Sequence, residues 1–353
     1  MAAEGRLEEL LDLVVSEGGS DLHISAGGPP MLRVAGALVP LTKYPALSRE
    51  DTSAMLKSIV PEDRWSSFQE NQSIDLSYAH KDKGRFRVNG YVAQGMVSIA
   101  LRLIPRAIQT FAELNLPSVL EVFAERSQGF FLVVGPVGQG KSTTLAALIN
   151  RINESRTEHI LTIEDPVEYV FTPQRSLIHQ REVHIDAPDF HAALQSAFRE
   201  DVDVIMVGEM RDYETISSAV TAAETGHLVL STLHTNTAAQ TIDRIIDMFP
   251  SEQQGQVRIQ LAGSLAGIFS QRLIPRVSGG LVPAYELLIN NNAVSTLIRD
   301  GLTHEIDAVI QTSSQEGMID MDRSLAELVR RGEVTVEHAY EHALDRKTFE
   351  RYL

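Results

Sequence analysis

The chain contains no cysteine, and this absence excludes two kinds of site. Neither a disulfide framework nor a cysteine-ligated zinc site can form, which is compatible with a reducing, cytoplasmic compartment. Long apolar runs are missing as well, since nowhere do 18 apolar residues follow one another. We therefore expect no transmembrane segment, and the acidic start of the chain predicts no signal peptide.

Positive charge is also in short supply. The chain has 31 lysine and arginine residues against 47 aspartate and glutamate residues, which gives a formal net charge of −16. Nucleic-acid phosphates repel such a chain unless a local basic patch overrides the long-range field. We therefore expect no nucleic-acid partner, and DNA-translocating motors are disfavoured. The length of 353 residues predicts two domains or one large one.

The clearest motif is a phosphate loop. The pattern G-x-x-x-x-G-K-[ST] lies between an apolar run at 130–134 and a helix-forming run at 145–149, the context that this motif requires. Glycines let successive backbone N–H groups turn toward an anion, and the helix N-terminus reinforces that nest. The predicted ATP-binding residues are Gly135, Pro136, Val137, Gly138, Gln139, Gly140, Lys141, Ser142 and Thr143. The alternative, a glycine-rich turn without a ligand, is disfavoured because both flanks match.

The chemistry of such a loop requires further groups. Lys141 is expected to contact the β- and γ-phosphates of ATP, and the Ser142 hydroxyl is expected to bind Mg²⁺. Two carboxylates follow predicted strands, Glu164 in the box 163–168 and Glu209 in the box 204–212. In the second box Gly208 stands where a Walker B strand usually has aspartate. Glu209 is therefore expected to hold Mg²⁺ through water, and either carboxylate is a candidate to orient the attacking water.

Two histidines in the box 226–236 permit a zinc interpretation. His227 and His234 are an odd number of positions apart, which places them on opposite faces of a strand. A shared metal ion is therefore disfavoured. We expect His234 at the strand end to contact the γ-phosphate as a neutral donor or acceptor, and His227 to have a packing or capping role.

The chain divides by its pattern into three parts. Residues 1–106 read as a small α+β domain, 107–118 as a linker, and 119–353 as a domain of alternating strands and helices. Apolar runs at 130–134, 160–163, 204–207 and 228–231 alternate with helical stretches, which predicts a mostly parallel sheet with helices on both faces. After residue 251 the pattern is mainly helical, with a strand pair expected around 276–288.

The four boxes resemble, in their order and spacing, those of the hexameric type II and type IV secretion ATPases. More narrowly, residues 5–345 are similar to the type IV pilus retraction ATPases, the PilT-like class. The stretches that carry the narrower resemblance are 19–23, 85–89, 199–201, 207–212, 223–227, 309–312, 317–318 and 321–325. The phosphate loop departs from the usual family pattern at Val137 and Gln139, where threonine and serine are usual. Ser295 replaces the first arginine of the family's retraction motif.

The resemblance implies a fold, an assembly and an activity. Each subunit would have an N-terminal PAS-like α+β domain followed by an α/β RecA-like P-loop ATPase domain with a mostly helical C-terminal part. Six subunits would form a homo-hexamer that hydrolyses ATP with Mg²⁺ and drives pilus retraction and twitching motility. It would act at the inner face of the cytoplasmic membrane, on an inner-membrane pilus platform protein and beside other pilus ATPases. Arg87, Arg102 and Arg199 are candidates to contact the phosphates, and which of them reaches the γ-phosphate stays open.

Several alternatives remain beside the retraction motor. Pilus-extension and type II secretion ATPases typically carry a long N-terminal extension and a four-cysteine zinc site; we expect neither here, which disfavours these classes. An accessory retraction paralogue would share every motif of the main motor. A nucleotide-binding ring scaffold without turnover, a different functional class, is disfavoured because Lys141, Glu164, Glu209 and His234 are all present.

Overall fold

The computed structural model describes residues 3–34, 36–81, 83–104 and 107–353. The packing of these residues divides the chain into two compact units. The N-terminal unit comprises Met1–Ala107 with Asp165–Val170, and the C-terminal unit comprises Ile108–Glu164 with Phe171–Leu353. The predicted domain boundaries and the linker at 107–118 concern independent folding, which this grouping does not test, and they stay predictions.

An antiparallel sheet with helices against it makes up the N-terminal unit. Among the described residues its strands are β1 (Asp21–Ser25), β2 (Met31–Val34), β3 (Ala37–Pro40), β4 (Ser73–His80), β5 (Gly84–Ala93) and β6 (Met96–Ile104), in the order β3-β2-β1-β6-β5-β4. Its helices are α1 (Ala3–Ser16), α2 (Arg49–Ile59) and α3 (Glu62–Asn71). This is the α+β arrangement that the sequence predicts.

Alternation along the strands decides which face of this sheet is buried. In β5, Phe86 and Val88 are fully buried, whereas Arg85 and Arg87 on the opposite face are partly exposed. Gly90 continues the buried face, and a Cβ there would lie 2.6 Å from a methyl group of Leu56 in α2. The missing side chain therefore lets α2 approach the sheet closely, and the arginines are left on the open face.

The C-terminal unit contains a mixed sheet in which only the last strand is antiparallel to its neighbour. Among the described residues its strands are β7 (Gly129–Val134), β8 (His159–Glu164), β9 (Leu177–Glu182), β10 (Val204–Val207), β11 (Leu228–Leu233), β12 (Leu265–Pro275) and β13 (Leu281–Ile289), in the order β13-β12-β7-β11-β10-β8-β9. Every residue of β7, β10 and β11 is buried, as expected of parallel strands covered on both faces.

Helices follow the strands of this unit in the predicted alternation. They are α4 (Glu121–Ala124), α5 (Lys141–Ser155), α6 (Phe190–Ala197), α7 (Tyr213–Glu224), α8 (Ala238–Asp247), α9 (Ser251–Ser264), α10 (Asn292–Asp300), α11 (Ile306–Thr312), α12 (Met321–Arg330), α13 (Val336–His342) and α14 (Arg346–Tyr352). From α9 onward the unit is mostly helical, as predicted. The α/β fold class is thereby confirmed.

Two strands differ from the prediction. β9 is an edge strand in which four of the six residues are polar, so it lacks the continuous apolar run by which its neighbours are recognised. β12 begins directly after α9, without turn residues between them, and the strand pair expected around 276–288 covers β13 but misses β12, which ends at Pro275. This second error matters for function because β12 lies beside β7, the strand that leads into the phosphate loop.

Candidate nucleotide-binding site

The predicted site residues of the C-terminal unit come from four neighbouring parallel strands. β7, β11, β10 and β8 lie side by side in register, so their carboxyl ends meet at one edge of the sheet. The phosphate loop follows β7, Glu164 ends β8, Glu209 follows β10 and His234 follows β11. Ligands of open α/β sheets bind at this edge, where loops from adjacent strands converge.

The phosphate loop depends on backbone conformations that favour glycine. Gly135, Gly138 and Gly140 have φ values of 142°, 78° and 78°. A Cβ on Gly135 would lie 2.4 Å from the backbone oxygen of Gln271 in β12. Glycine is therefore also required here because two segments of the backbone approach each other closely. Gly140 is the N-cap of α5, which begins at Lys141. The loop therefore ends at a helix N-terminus, where the macrodipole favours an anion.

Lys141 is buried in the loop that it serves, with 7% of its surface exposed. Its ammonium donates to the backbone oxygens of Gly135 and Pro136 at 2.8 and 2.9 Å. The same nitrogen lies 3.2 Å from Nδ1 of His234. Carbonyls and a neutral imidazole are weaker partners for an ammonium than phosphate oxygens. The phosphate oxygens of a bound triphosphate can therefore replace these groups as the partners of the Lys141 ammonium.

His234 links the phosphate loop to the Walker B strand. Partial burial lowers its pKa, the charge of Lys141 lowers the pKa further, and Glu209 opposes both effects. Because an ammonium only donates, Nδ1 of His234 accepts from Lys141, and the proton of the neutral ring is on Nε2. That nitrogen lies 3.8 Å from Oε2 of Glu209. The neutral histidine that the sequence predicts is thus supported by its surroundings.

Glu209 and Glu164 differ in their surroundings. Glu209 is less buried than Glu164. Its Oε1 forms an ion pair with the exposed side chain of Arg211, whereas its Oε2 faces His234. Glu164 is 6% exposed, and its Oε1 accepts from Thr162 at 2.7 Å and from Gln180 at 3.3 Å. Oε1 of Glu164 is therefore held by its own strand β8 and by β9, whereas Glu209 faces the histidine beside the phosphate loop.

Gly208 explains how the two carboxylates fit side by side. Its backbone N–H donates to Ile163 at 2.8 Å, and a Cβ there would lie 3.3 Å from the same carbonyl oxygen and 3.8 Å from Cγ of Glu164. An aspartate at 208 would crowd Glu164 on the adjacent strand. The glycine in the usual aspartate position therefore leaves room for a carboxylate that β8 supplies instead.

The hydroxyls and the second histidine of the box 226–236 have structural contacts. Ser231 and Thr232 donate to the backbone oxygens of Val207 and Gly208 at 2.7 and 2.6 Å, and so join the end of β11 to β10. His227 lies at the other end of β11 from His234, and its Nδ1 is 3.0 Å from the backbone oxygen of Ala222. One metal ion cannot bind both rings because a six-residue strand of roughly 20 Å separates them.

The candidate arginines belong to both units of the chain. Arg87 and Arg102 are directly opposite each other on β5 and β6 of the N-terminal unit. Arg102 pairs with Asp21 at 2.8 Å, and Arg87 lies 3.4 Å from Oε1 of Glu168. Arg199 is exposed after α6 in the C-terminal unit, and its side chain makes no hydrogen bond or ion pair within the part of the chain that the structure describes. Their contact with phosphate stays a prediction.

Sequence reasoning missed the residues that support this site from neighbouring strands. Gln271 of β12 contacts both the phosphate loop and α5, and Gln180 of β9 contacts Glu164. Both lie on the two strands that the sequence pattern does not identify. The available signal for Gln271 was a glutamine within the largely apolar run 265–275, because an amide that such a run buries requires hydrogen-bond partners, although the sequence does not say which ones.

The donor set fits ATP and Mg²⁺. The Ser142 hydroxyl in the first turn of α5 and the carboxylates of Glu209 and Glu164 supply oxygen atoms, the ligand type that Mg²⁺ prefers. Within the described ranges, no group of three or more histidine, aspartate or glutamate side chains forms a metal cage. Mg²⁺ in nucleotide sites is bound through one or two carboxylates together with phosphates, and a cage is not required.

Known proteins resemble this chain over nearly its whole length. The family profile described as "Type II/IV secretion system protein" matches residues 4–337. The type IV pilus retractation ATPase PilT of Pseudomonas aeruginosa is 43% identical, over 96% of this chain and 98% of the relative. A twitching motility protein of Neisseria gonorrhoeae is 46% identical, over 89% of this chain and 84% of the relative. The crystal structure of the pilus retraction motor PilT with bound ADP matches with a TM-score of 0.90 and 46% identity, over 98% of both chains.

Proposed function

The chain belongs to the type II/IV secretion system protein family, and we propose that it is an ATPase that drives retraction of a type IV pilus. The observation that carries this proposal is the approach of Lys141, in a complete phosphate loop, to His234, which in turn faces Glu209. A loop that only binds nucleotide does not require a histidine and a carboxylate from two further strand ends. Relatives named for pilus retraction and twitching motility support the same activity.

Binding begins with an exchange of partners at Lys141. Phosphate oxygens of ATP replace the carbonyl oxygens of Gly135 and Pro136, while the loop amides and the N-terminus of α5 face the same charge. Mg²⁺ would neutralise the phosphate oxygens, with Ser142 and, through water, Glu209 as the protein groups that hold it. Because Lys141 is already oriented by its loop, binding costs little side-chain ordering.

Hydrolysis requires a carboxylate that orients water against the γ-phosphate. We assign this role to Glu209 because it faces His234, whereas Oε1 of Glu164 already accepts from Thr162 and Gln180. His234 then lies between Lys141 and Glu209 and senses whether phosphate is present. Its loss of the contact to Lys141 on ATP binding would be passed along β11. Glu164 would position the neighbouring Walker B segment.

Mechanical output requires an assembly. Six copies would form a homo-hexameric ring, in which Arg87, Arg102 and Arg199 are the candidates to stabilise charge on the phosphates. No helix among the described residues is long and apolar enough to cross a bilayer. The proposed place at the inner face of the cytoplasmic membrane would therefore depend on the inner-membrane platform protein, whose movement would release pilin subunits from the fibre base.

Two experiments test this function at different levels. Purified protein should release phosphate from ATP when Mg²⁺ is present, and a protein that neither binds nor hydrolyses ATP would contradict the enzymatic part. Deletion of the gene in its host should leave long pili that do not retract and should abolish surface motility. Plasmid-borne wild-type chain should restore retraction. Unchanged pilus dynamics after deletion, with ATPase activity intact, would favour the accessory paralogue.

A further inference from the structure

Gln271 is a buried amide that contacts the nucleotide loop from a strand distant in sequence. It is 3% exposed, and β12 carries it past the last residue of β7, where Ser270 pairs with Val134. Its Nε2 donates to the backbone oxygen of Gln139 at 2.8 Å, and its Oε1 accepts from the Thr144 hydroxyl at 2.6 Å. One side chain thus bridges the end of the phosphate loop and the first turn of α5.

A second hydrogen bond joins the phosphate loop to β12 through the side chain of Gln139. The side-chain oxygen of Gln139 accepts from the backbone N–H of Leu273 at 2.6 Å, beyond the point where β7 can pair with β12. A Cβ on Gly140 would lie 3.0 Å from Nε2 of Gln271, and one on Gly135 would lie 2.4 Å from its backbone oxygen. Both ends of the loop are therefore packed directly against this residue.

We infer that Gln271 is a positioning residue that holds the loop in its phosphate-binding conformation, with the Gln139 side chain as its counterpart on the loop. This inference rests on the proposed ATPase function, because the loop amides must point inward to bind phosphate. A loop tethered to β12 loses less conformational freedom when the nucleotide binds. Gln139 is also a departure from the serine that the family resemblance predicts, so this second tether is a feature of the chain itself.

Nucleotide affinity is the first measurement. ADP binding to the full chain should weaken about tenfold in Gln271→Met, because two hydrogen bonds are lost without a large change in volume. Gln139→Ser should weaken ADP binding about threefold, because it removes only the bond to Leu273. In steady-state assays the KM for ATP should rise by similar factors. The kcat should stay within about twofold, since the tether acts on the loop in both the ground state and the transition state.

A pH experiment separates positioning from mere packing. Gln271→Glu retains the size of the side chain and the oxygen that Thr144 needs, but an ionised carboxylate has no donor for the backbone of Gln139. ADP binding by this variant should recover as the pH falls, because a protonated carboxyl regains an O–H donor. The ADP affinity of the wild type, measured over the same pH range, supplies the baseline. A variant whose affinity follows that baseline at every pH would overturn the inference.

Asn153 provides a matched control near the other end of α5. It is a fully buried amide that likewise makes two hydrogen bonds, to Thr172 and Gln174, but no contact with the loop. Asn153→Leu should lower the thermal unfolding temperature and leave ADP affinity unchanged. Equal ADP affinity in wild type, Gln271→Met and Gln139→Ser would refute the positioning role while leaving the proposed function standing. Absence of ADP binding in the wild type would refute the proposed function itself.

Discussion

The two units of the chain place ionisable side chains in opposite surroundings. In the N-terminal unit, Arg33, Asp21, Arg102 and Arg87 form a row across β2, β1, β6 and β5 on the open face of the sheet. Arg102 is 71% exposed there. In the C-terminal unit, Lys141, Glu164 and Glu286 are each less than a tenth exposed. Breaking an exposed ion pair costs little free energy of folding, whereas removing a partner from a buried charge is strongly destabilising.

The distribution of charge reinforces this contrast. Residues 1–107 contain 12 basic and 13 acidic residues, whereas residues 108–353 contain 19 and 34. Nearly all of the net negative charge therefore belongs to residues 108–353, although this part of the chain contains the phosphate loop, whose ligand is a polyanion. The local groups of the phosphate loop overcome the long-range repulsion at short range. Net charge thus informs about nucleic-acid partners but does not predict the sign of an individual site.

Removal of the buried ammonium should have the largest effect. Lys141→Ala is expected to lower kcat/KM for ATP at least about a thousandfold, because the β- and γ-phosphates lose their only lysine contact in the loop. Phosphate release by the purified variant is the measurement. Lys347→Ala, an exposed lysine of the same unit, serves as the control and should retain wild-type activity. Substantial turnover by Lys141→Ala would show that the site assignment is wrong.

The next largest effects are expected at the two carboxylates, and substitution of Glu209 should lower kcat more than substitution of Glu164. Glu209→Gln is expected to lower kcat about a hundredfold or more while ATP binding is retained. An effect of this size is typical of losing a group that orients the attacking water or accepts a proton from it. Glu164→Gln should lower kcat less, since the amide can keep the contact with Thr162. Single-turnover hydrolysis and nucleotide binding should be measured for both variants. The reverse order of effects would exchange the two roles.

Glu286 tests the cost of a buried carboxyl directly. Its Oε1 accepts from the backbone N–H of Ala238 at 2.7 Å, and burial raises its pKa to about 8. The charges of Asp307, Asp320 and Asp322 contribute to this rise in pKa, the hydrogen bond from Ala238 opposes it, and Arg272 lies near the same group. A carboxyl whose pKa rises on folding contributes stability that is fully present below the unfolded value and is lost as the pH rises through the folded value.

The consequence is a pH-dependent difference between two proteins. The wild type should lose stability between about pH 4.5 and pH 8, and Glu286→Gln should not lose this contribution. At pH 9 the variant should be more stable by roughly 4–5 kcal/mol, and the difference should vanish below about pH 4.5. Chemical denaturation at several pH values measures this. Glu252→Gln, an exposed carboxylate of α9, is the control, and equal pH profiles for wild type and Glu286→Gln would contradict the assignment.

The smallest change in stability is expected on the open sheet face. Arg102→Ala and Arg87→Ala should each alter the free energy of unfolding by less than about 0.5 kcal/mol, because their ion pairs are exposed. An arginine that reaches the phosphates should nevertheless lower kcat about tenfold when removed. Arg33→Ala is the matched control, since Arg33 lies on the same face beside the same Asp21. Equal activity of all three variants would remove Arg87 and Arg102 from the candidates.

The parts predicted from sequence are those whose signal is local. The strands β7, β8, β10 and β11 each contain a short run of apolar residues, which marks them in the sequence. For the phosphate loop, Glu164, Glu209 and His234, each position follows from the rule that sites lie at the carboxyl ends of parallel strands.

The parts that could not be predicted depend on which strands become neighbours. Nothing near Gln271 in the sequence indicates that β12 lies beside β7, and so its contact with Gln139 is invisible until the sheet is assembled. The burial of Glu286 beneath Ala238 is decided in the same way. Pairing of distant strands depends on the packing of the whole sheet, whereas apolar periodicity reports only the face that a strand buries.

By itself, the amino-acid sequence determined the chemistry that this protein can perform. A glycine-rich loop with one lysine, followed by two carboxylates and a histidine at strand ends, specifies nucleotide binding because those groups act through short-range contacts encoded together. Only the tertiary structure decided how the groups are supported. The exposure of the arginines, the contact of Lys141 with His234 and the hydrogen bond from Gln271 to the loop all arise from residues distant in sequence, because burial and hydrogen-bond partners are properties of the packed sheet.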